Sequence, residues 1–219
     1  MMMTDVESAR RQMIEQQVRA WEVLDLKVLA ALARVPREEF VPPVFRDVAF
    51  ADMCVPLGHG QSMLAPKVEG RILQSLEIQA DDRALEIGTG SGFFAACLGQ
   101  LARSVRSVDL FADFVATAAG TLRRTGAHNV SVDVMDAMTL ASDEAYDVIA
   151  LTGSLPIYEG RFERALSVGG RLFVVVGQGP AMEALRITRA GHGEWVRESL
   201  FEVVLDPLLH APEPSKFVF

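Results

Sequence analysis

Cysteine is scarce in this chain, since Cys54 and Cys97 are the only two among 219 residues. They lie far apart without the paired spacing of a zinc site, and a disulfide is not favoured in a reducing compartment. His128 and His210 also lack a second histidine or cysteine at ligand spacing. We therefore predict two buried thiols and no metal site.

Two further absences limit the partners of the chain. No apolar run reaches the roughly 18 residues that a membrane helix needs, and the first residues lack the apolar centre of a secretory signal. The net charge is -8, and neutralising nucleic-acid phosphates needs a basic face. We predict a cytoplasmic protein with no membrane and no nucleic-acid partner.

Helical spacing of apolar residues characterises the N-terminal part of the chain, which predicts two helices with one buried face each and a break near Val23-Leu24-Asp25. The residues of these faces are Met13, Val18, Trp21, Leu24, Val28, Leu29 and Leu32. The segment ARVPREEFVPPVFRDVAFAD follows, and its three prolines exclude a long helix. It is predicted to be an ordered loop with one short helical turn, and its core contacts are assigned to Phe40, Val41, Val44 and Phe45.

Short apolar runs alternate with helical segments in the rest of the chain, which predicts an α/β fold with a mostly parallel sheet. Five strands are predicted in RALEIG, SVRSVDL, VSVDVMD, YDVIALT and GGRLFVVVG. MEALRITRAG and EWVRESLFEVVLDPLL flank the turn Gly191-His192-Gly193 and predict an antiparallel hairpin at the sheet edge. The expected architecture is thus a Rossmann-like, mostly parallel seven-stranded sheet with an antiparallel C-terminal hairpin and an N-terminal helical extension.

A glycine-rich turn joins the first of these strands to the helix that starts near Phe93. It has the spacing G-x-G-x-G, with Glu86 two residues before the first glycine, and the chain has no G-K-[ST] phosphate loop. Glycines let the backbone approach a ligand closely, and the helix N-terminus adds oriented amides. The turn therefore favours a ligand that contains adenosine without a phosphate chain.

Two aspartates follow at the ends of the next two predicted strands. Asp109, about 20 residues on, is predicted to accept from both ribose hydroxyls, and Asp136 from the adenine amino group. The alternative for each is that it caps the following helix. The pattern indicates S-adenosylmethionine, with its site formed by Glu86, Gly88, Thr89, Gly90, Ser91, Gly92, Asp109, Leu110, Asp136 and Ala137.

The stretch GHGQSMLAP, residues 58–66, contains a histidine three residues before a serine. A serine hydrolase that uses His59 and Ser62 is one interpretation. Ser62 lacks the G-x-S-x-G turn between a strand and a helix that exposes such a nucleophile. The sequence therefore does not favour this interpretation.

Over nearly its whole length the chain resembles the protein-L-isoaspartate O-methyltransferase family. The resemblance rests on VLAALARVPREEFVPP, PLGHGQSMLAP, RALEIGTGSGFFAACLGQLARSVRSVD, HNVSVDVMDA and YDVIALT. It implies methyl transfer from S-adenosylmethionine to the α-carboxylate of an isoaspartyl residue in a protein or peptide. This carboxylate is ionised at pH 7, so it needs no strong general base.

The family's substrate loop usually reads Q-[ST]-I-S-x-P, and its second hydroxyl residue has an active-site role. Aligned here, the loop consists of Gln61, Ser62, Met63 and Leu64. Leu64 occupies the place of the second hydroxyl residue, so Ser62 is the predicted catalytic residue. Thr152 and Ser154 are two other candidates for a compensating hydroxyl.

A chain of 219 residues can bury one sizeable core, so we predict one domain over residues 1–219. Residues 1–65 form its helical extension and substrate loop, and residues 66–219 form the S-adenosylmethionine-binding core. The leading hypothesis is a methyltransferase of isoaspartyl or of another carboxylate acceptor. The alternative is a divergent S-adenosylmethionine-binding homologue that has another acceptor, or that has lost catalysis and serves in regulation.

Overall fold

The computed structural model describes residues 3–141 and 145–214. Its α-helices are α1 (Met3–Met13), α2 (Leu26–Arg34), α3 (Arg37–Phe40), α4 (Pro66–Ser75), α5 (Phe93–Leu101), α6 (Ala112–Arg124) and α7 (Arg161–Arg164). Its strands are β1 (Val55–Gly58), β2 (Gln61–Met63), β3 (Arg83–Ile87), β4 (Ser104–Asp109), β5 (Val130–Val134), β6 (Tyr146–Leu155), β7 (Leu166–Gln178), β8 (Ala181–Gly191) and β9 (Glu194–Glu202).

Strands β3 to β9 form a seven-stranded sheet in the order β5-β4-β3-β6-β7-β8-β9. The pairs from β5 to β7 are parallel, whereas β8 and β9 pair antiparallel. This confirms the predicted α/β class and the C-terminal hairpin. The last strand ends at Glu202, however, so the predicted run to Leu209 is too long.

The sheet separates two hydrophobic clusters because successive residues of a strand point to opposite faces. In β3, Ala84 belongs to one cluster and Leu85 to the other. The first cluster also contains Phe93 of α5 and Leu32 of α2, so the N-terminal helices share a core with the sheet. Phe162 of α7 belongs to the second cluster.

The helix break predicted near residues 23–25 is confirmed. The first helix continues through Ile14–Val18 and Arg19–Trp21 and ends at Glu22, whose φ is 62°. Asp25 then caps α2 by accepting a hydrogen bond from the Lys27 amide at 2.7 Å. Trp21 and Leu24 lie at this turn and are 38% and 65% exposed, so their predicted place on a buried face is wrong.

The proline-rich segment contains the predicted short helix, α3, followed by a 3-10 turn over Pro43–Val48. Phe40 and Val41 are buried in the core. Val44 was predicted to join them but is 82% exposed, because the 3-10 turn directs it outward.

The predicted loop GHGQSMLAP contains a β-hairpin. Strands β1 and β2 pair antiparallel, and the turn residues His59 and Gly60 have φ values of 52° and 70°. Such φ values match the twist of a tight hairpin turn. The hairpin fixes Gln61, Ser62 and Met63 on a strand that leads directly to Leu64 and α4.

The order of the strands reverses between β3 and β6. Strands β4 and β5 lie on one side of β3, and the later strands lie on the other. In open α/β sheets the crevice at such a point, beyond the carboxyl ends of the strands, is where ligands bind. The C-terminal segment covers one side of it, where the Ser154 amide donates to the Asp206 carbonyl at 2.9 Å.

Candidate active site

The glycine turn has a backbone that only glycine adopts easily. Gly88, Gly90 and Gly92 have φ values of 100°, 49° and 83°, in the left-handed region that disfavours residues with a Cβ. A Cβ on Gly88 would also lie 2.4 Å from Oγ1 of Thr152. The turn therefore brings its backbone close to β6 and leaves the crevice above it open.

Asp109 ends β4 and connects it to the glycine turn. Its Oδ2 accepts a hydrogen bond from the Gly90 amide at 2.8 Å, and its Oδ1 accepts one from the Phe111 amide at 3.0 Å. Helix α6 begins at Ala112 and has no side-chain cap, so the capping alternative is wrong for Asp109. Each carboxylate oxygen keeps a further lone pair that can accept from a ligand.

Asp136 differs from the prediction in two respects. Strand β5 ends at Val134, so Asp136 lies two residues beyond it. Its Oδ1 accepts from the Met138 amide at 2.9 Å and so caps a short 3-10 turn. The contact with adenine stays a prediction. Its Oδ2 lies 2.7 Å from Nδ1 of His210. Burial opposes the ionised form, but the hydrogen bonds from His210 and Met138 outweigh it and lower the pKa of Asp136.

A cavity of about 250 Å³ lies at the carboxyl ends of these strands. It contains predicted residues from both the cofactor site and the substrate loop, so the fold brings these two groups together. The predicted residues that line it are Gln61, Ser62, Leu64, Gly88, Gly90, Asp109, Leu110, Asp136 and Ala137.

A smaller cavity of about 30 Å³ adjoins the first and shares Ser62, Leu64, Gly88, Gly90 and Thr152 with it. The remaining predicted residues that line it are Met63, Glu86, Thr89 and Ser91. Gly92 lines neither cavity. A Cβ there would lie 2.9 Å from Cβ of Ala118, so Gly92 permits close packing of α5 against α6.

Glu86 is fully buried beneath the glycine turn. Its Oε2 accepts a hydrogen bond from the Ser107 hydroxyl at 2.5 Å, whereas its Oε1 is buried without a partner among the described residues. Burial raises the pKa of Glu86 well above its usual value, although the Ser107 hydrogen bond acts in the opposite direction. An unpaired buried acceptor favours binding of a donor, because leaving it unpaired costs free energy.

The sequence interpretation missed Arg37 and Glu69, two buried charged residues that hold the substrate loop. Nη2 of Arg37 donates to the Leu64 carbonyl at 2.6 Å, Nε donates to the Ala49 carbonyl at 2.9 Å, and Nη1 pairs with the Glu69 carboxylate. The guanidinium also stacks 4.7 Å above the Phe93 ring. Burial raises the pKa of Glu69 to about 7 despite the opposing effect of Arg37.

One signal in the sequence could have identified Glu69. It precedes Ile72 and Leu73 by three and four residues, and it therefore lies on the buried face of α4. A carboxylate on such a face needs a cationic partner.

The family model of protein-L-isoaspartate(D-aspartate) O-methyltransferase matches residues 8–211 of this chain. The chain belongs to this family. The predicted family and the enzyme class, an S-adenosylmethionine-dependent methyltransferase, are thereby confirmed.

Individual relatives agree with the family model. A protein-L-isoaspartate O-methyltransferase of Rhodopseudomonas palustris is 37% identical over 210 residues, which cover 93% of this chain and 96% of the relative. Protein-L-isoaspartate O-methyltransferase 2 of Marinobacter nauticus is 37% identical over 208 residues, with 94% of each chain covered. These matches do not favour the alternative of a binding protein without catalysis.

A solved structure shows the same fold. It is the crystal structure of a Plasmodium falciparum protein described as a protein-L-isoaspartate O-methyltransferase, in complex with S-adenosylhomocysteine. Its TM-score is 0.79 over 93% of this chain and 97% of that chain, at 16% sequence identity. At this identity the likeness concerns the fold alone.

The hydroxyl groups near Leu64 differ in what they can do for a methyltransferase of this family. Ser62 lines both cavities. Thr152 lines both cavities as well, but its hydroxyl lies 2.9 Å from the Ile87 carbonyl and 2.8 Å from the Gly88 carbonyl. Ser154 is buried and donates to the Leu205 carbonyl at 2.9 Å, so it is the wrong candidate for a compensating hydroxyl.

His59 is directed away from Ser62. Its Nε2 lies 2.9 Å from Oδ2 of Asp113, and its ring stacks on Phe111 with a centroid separation of 4.1 Å. The pair expected of a serine hydrolase is therefore not formed. His59 instead joins the tip of the hairpin to the start of α6.

The cysteine prediction is half right. Cys97 is buried, but Cys54 is exposed and lines the larger cavity, because it precedes β1 at the mouth of the crevice. Within residues 3–141 and 145–214, we find no cluster of three metal-ligating side chains. None of the helices in these ranges has the length and hydropathy needed to cross a membrane.

Proposed function

We propose that this chain transfers a methyl group from S-adenosylmethionine to the α-carboxylate of isoaspartyl residues in damaged proteins or peptides. The observation that carries the proposal is the shared cavity, in which the glycine turn and Asp109 face the loop that the family uses for its substrate. Family membership supports the same acceptor.

The two cavities fit the two parts of S-adenosylmethionine, which supplies an electrophilic methyl group when bound. We assign adenosine to the larger cavity, with the ribose at Asp109 and Leu110 and the adenine at Asp136 and Ala137. Both Asp136 oxygens already have partners, but each can accept a second hydrogen bond. We assign the amino-acid end to the smaller cavity, where Glu86, Thr89 and Ser91 lie.

The protein's part in the reaction is mostly positioning, since the acceptor carboxylate is already ionised at neutral pH. Arg37 fixes the Leu64 carbonyl and with it the loop that faces the methyl group. We propose that Ser62, which lines both cavities, donates its hydroxyl proton in a hydrogen bond to the acceptor carboxylate. Gln61 adds a second polar contact, and Met63 and Leu64 exclude water from the reacting atoms.

The cofactor assignment predicts that Asp109→Ala weakens S-adenosylhomocysteine binding by about a hundredfold, because a charge-assisted hydrogen bond to ribose is lost and the Gly90 amide loses its acceptor. Isothermal titration calorimetry measures this change. Asp133→Ala is the matched control, because Asp133 lies on the neighbouring strand, is largely exposed and pairs with Arg106. Equal affinity in Asp109→Ala and the wild type would refute the ribose assignment.

A second candidate acceptor is a different carboxylate. Leu64 favours it, since an apolar side chain occupies the place of the family's hydroxyl and lines both cavities. To distinguish the two candidate acceptors, methyl transfer is measured with small carboxylic acids, with an isoaspartyl peptide and with the aspartyl peptide of the same sequence. The isoaspartyl peptide alone is expected to react. We retain a cytoplasmic location and the absence of a nucleic-acid partner as predictions.

A further inference from the structure

Two buried carboxylates from different elements line the smaller cavity. Glu69 of α4 is 2% exposed and Glu86 of β3 is 0% exposed, and both line the space of about 30 Å³ between the substrate loop and the glycine turn. A space of this size holds small polar groups and excludes a ring.

The charges around this cavity do not balance. Arg37 pairs with Glu69, but Glu86 has no cationic partner and its Oε1 has no hydrogen-bond partner among the described residues. When both carboxylates are ionised, one negative charge is left over in a buried space, which is costly. A small cation with several N–H donors would balance the charge and satisfy the free oxygen.

We propose that Glu69, together with Glu86, binds the α-ammonium group at the amino-acid end of S-adenosylmethionine, and that Arg37 is the positioning residue that holds Glu69 in the cavity wall. This inference rests on the proposed function. The cavity adjoins the assigned adenosine site, and the ammonium is the one group of the cofactor with three N–H donors. The positive charges of the Arg37 guanidinium and the cofactor's α-ammonium group then balance the negative charges of Glu69 and Glu86.

The proposal has a consequence for pH dependence. The carboxylates of Glu69 and Glu86 repel each other when both are ionised, and the other titratable groups nearby are Arg37, Asp109 and Cys97. Because burial raises the pKa of both carboxyl groups, an ammonium that favours their ionised forms must displace protons. S-adenosylhomocysteine should therefore bind more tightly at pH 8 than at pH 6.

The test compares two ligands by calorimetry, S-adenosylhomocysteine and its deaminated analogue, in which hydrogen replaces the α-amino group. Glu69→Gln keeps the shape of the side chain and removes its charge. It should weaken S-adenosylhomocysteine about tenfold or more and leave the deaminated analogue within about twofold. Glu39→Gln, an exposed change beside Arg37, is the matched control and should alter neither affinity.

Equal weakening of both ligands by Glu69→Gln would show a structural role and overturn the proposal, as would unchanged binding of S-adenosylhomocysteine. Should Glu69→Gln not fold, the wild type provides the second measurement. Its preference for S-adenosylhomocysteine over the analogue should increase from pH 6 to pH 8, and a constant preference would overturn the proposal. Wild-type protein that binds neither ligand would refute the proposed function itself.

Discussion

Leu64 distinguishes this chain from the usual loop of its family, and its side chain is only 8% exposed. We expect Leu64→Ser to raise kcat/KM for an isoaspartyl peptide several-fold, because the added hydroxyl can donate to the acceptor carboxylate. Affinity for S-adenosylhomocysteine should stay within about twofold. Peptide methylation kinetics and calorimetry measure the two effects.

Leu64→Ala is the control for this prediction, since it removes the same packing without adding a hydroxyl. Both variants should lose about 2–4 kcal/mol of stability through the deleted buried atoms. An equal gain in kcat/KM for Ala and Ser would contradict the hydroxyl explanation.

The raised pKa of Glu69 leads to a prediction of how the free energy of unfolding changes with pH. Its pKa is about 7 in the folded protein and near its usual value of 4.5 when the chain is unfolded, so the folded state binds the proton more tightly. The resulting stabilisation is complete below about pH 4.5 and is lost as the pH rises through 7, by about 3 kcal/mol in total. Asp113, Asp136 and Asp147 have lowered pKa values. Their ionised forms stabilise the folded protein, and this stabilisation is lost only as the pH falls below about 4.

Urea unfolding at pH 5, 6, 7 and 8 measures this effect. The free energy of unfolding should fall less steeply with pH in Glu69→Gln than in the wild type, while Glu39→Gln keeps the wild-type slope. Identical slopes in Glu69→Gln and the wild type would rule out a raised pKa for Glu69.

The glycine turn between β3 and α5 is one of the places in the fold that require glycine. Gly88→Ala combines an unfavourable φ of 100° with a 2.4 Å contact to Thr152, so we expect S-adenosylhomocysteine affinity to fall at least about tenfold. Gly126→Ala is the matched control, because its φ is 79° and nothing lies within 4 Å of the added Cβ.

Gly126→Ala should cost about 1 kcal/mol through backbone strain alone and leave the affinity unchanged. Calorimetry and thermal unfolding of the two variants provide the comparison. Wild-type affinity in Gly88→Ala would show that the turn does not shape the site.

Elements with a strong local pattern were predictable from the sequence. The strands β3 and β4, the glycine turn and Asp109 follow from apolar runs that end in small or acidic residues. The hairpin β1-β2 was missed because Pro56, Gly58 and Gly60 read as loop residues, whereas its pairing depends on contacts with distant parts of the chain. Asp136 was misplaced for a related reason, since β5 ends where its pairing with β4 stops.

Side-chain partners across long sequence separations were beyond prediction. Arg37 and Glu69 lie 32 residues apart, and His210 approaches Asp136 over 74 residues. Only the folded chain brings such charges together. Leu64 was identified beforehand because comparison with the family loop needs no tertiary information.

At the scale of the whole molecule, we propose that residues 1–219 form one cooperative unit. Arg71 of α4 donates to the Trp21 carbonyl at 3.0 Å and stacks 4.6 Å from the Phe201 ring, and so connects the N-terminal helices to β9. Trp21 and Trp195 report on the two ends of the chain. Variants with one tryptophan each, Trp21→Phe and Trp195→Phe, should show coincident urea transitions by fluorescence.

An earlier transition of the Trp21 signal would instead show that the N-terminal helices unfold independently. Far-ultraviolet circular dichroism of both variants is the control, because it follows all helices and strands together.

Methyl transfer to matched peptides tests the central claim most directly. The full-length protein is incubated with S-adenosylmethionine and either an isoaspartyl peptide or the aspartyl peptide of the same sequence, and mass spectrometry follows the methyl ester. We predict that the isoaspartyl peptide is methylated, that its aspartyl counterpart is not, and that Asp109→Ala abolishes the reaction. Wild-type protein that binds S-adenosylhomocysteine but methylates neither peptide would contradict the account.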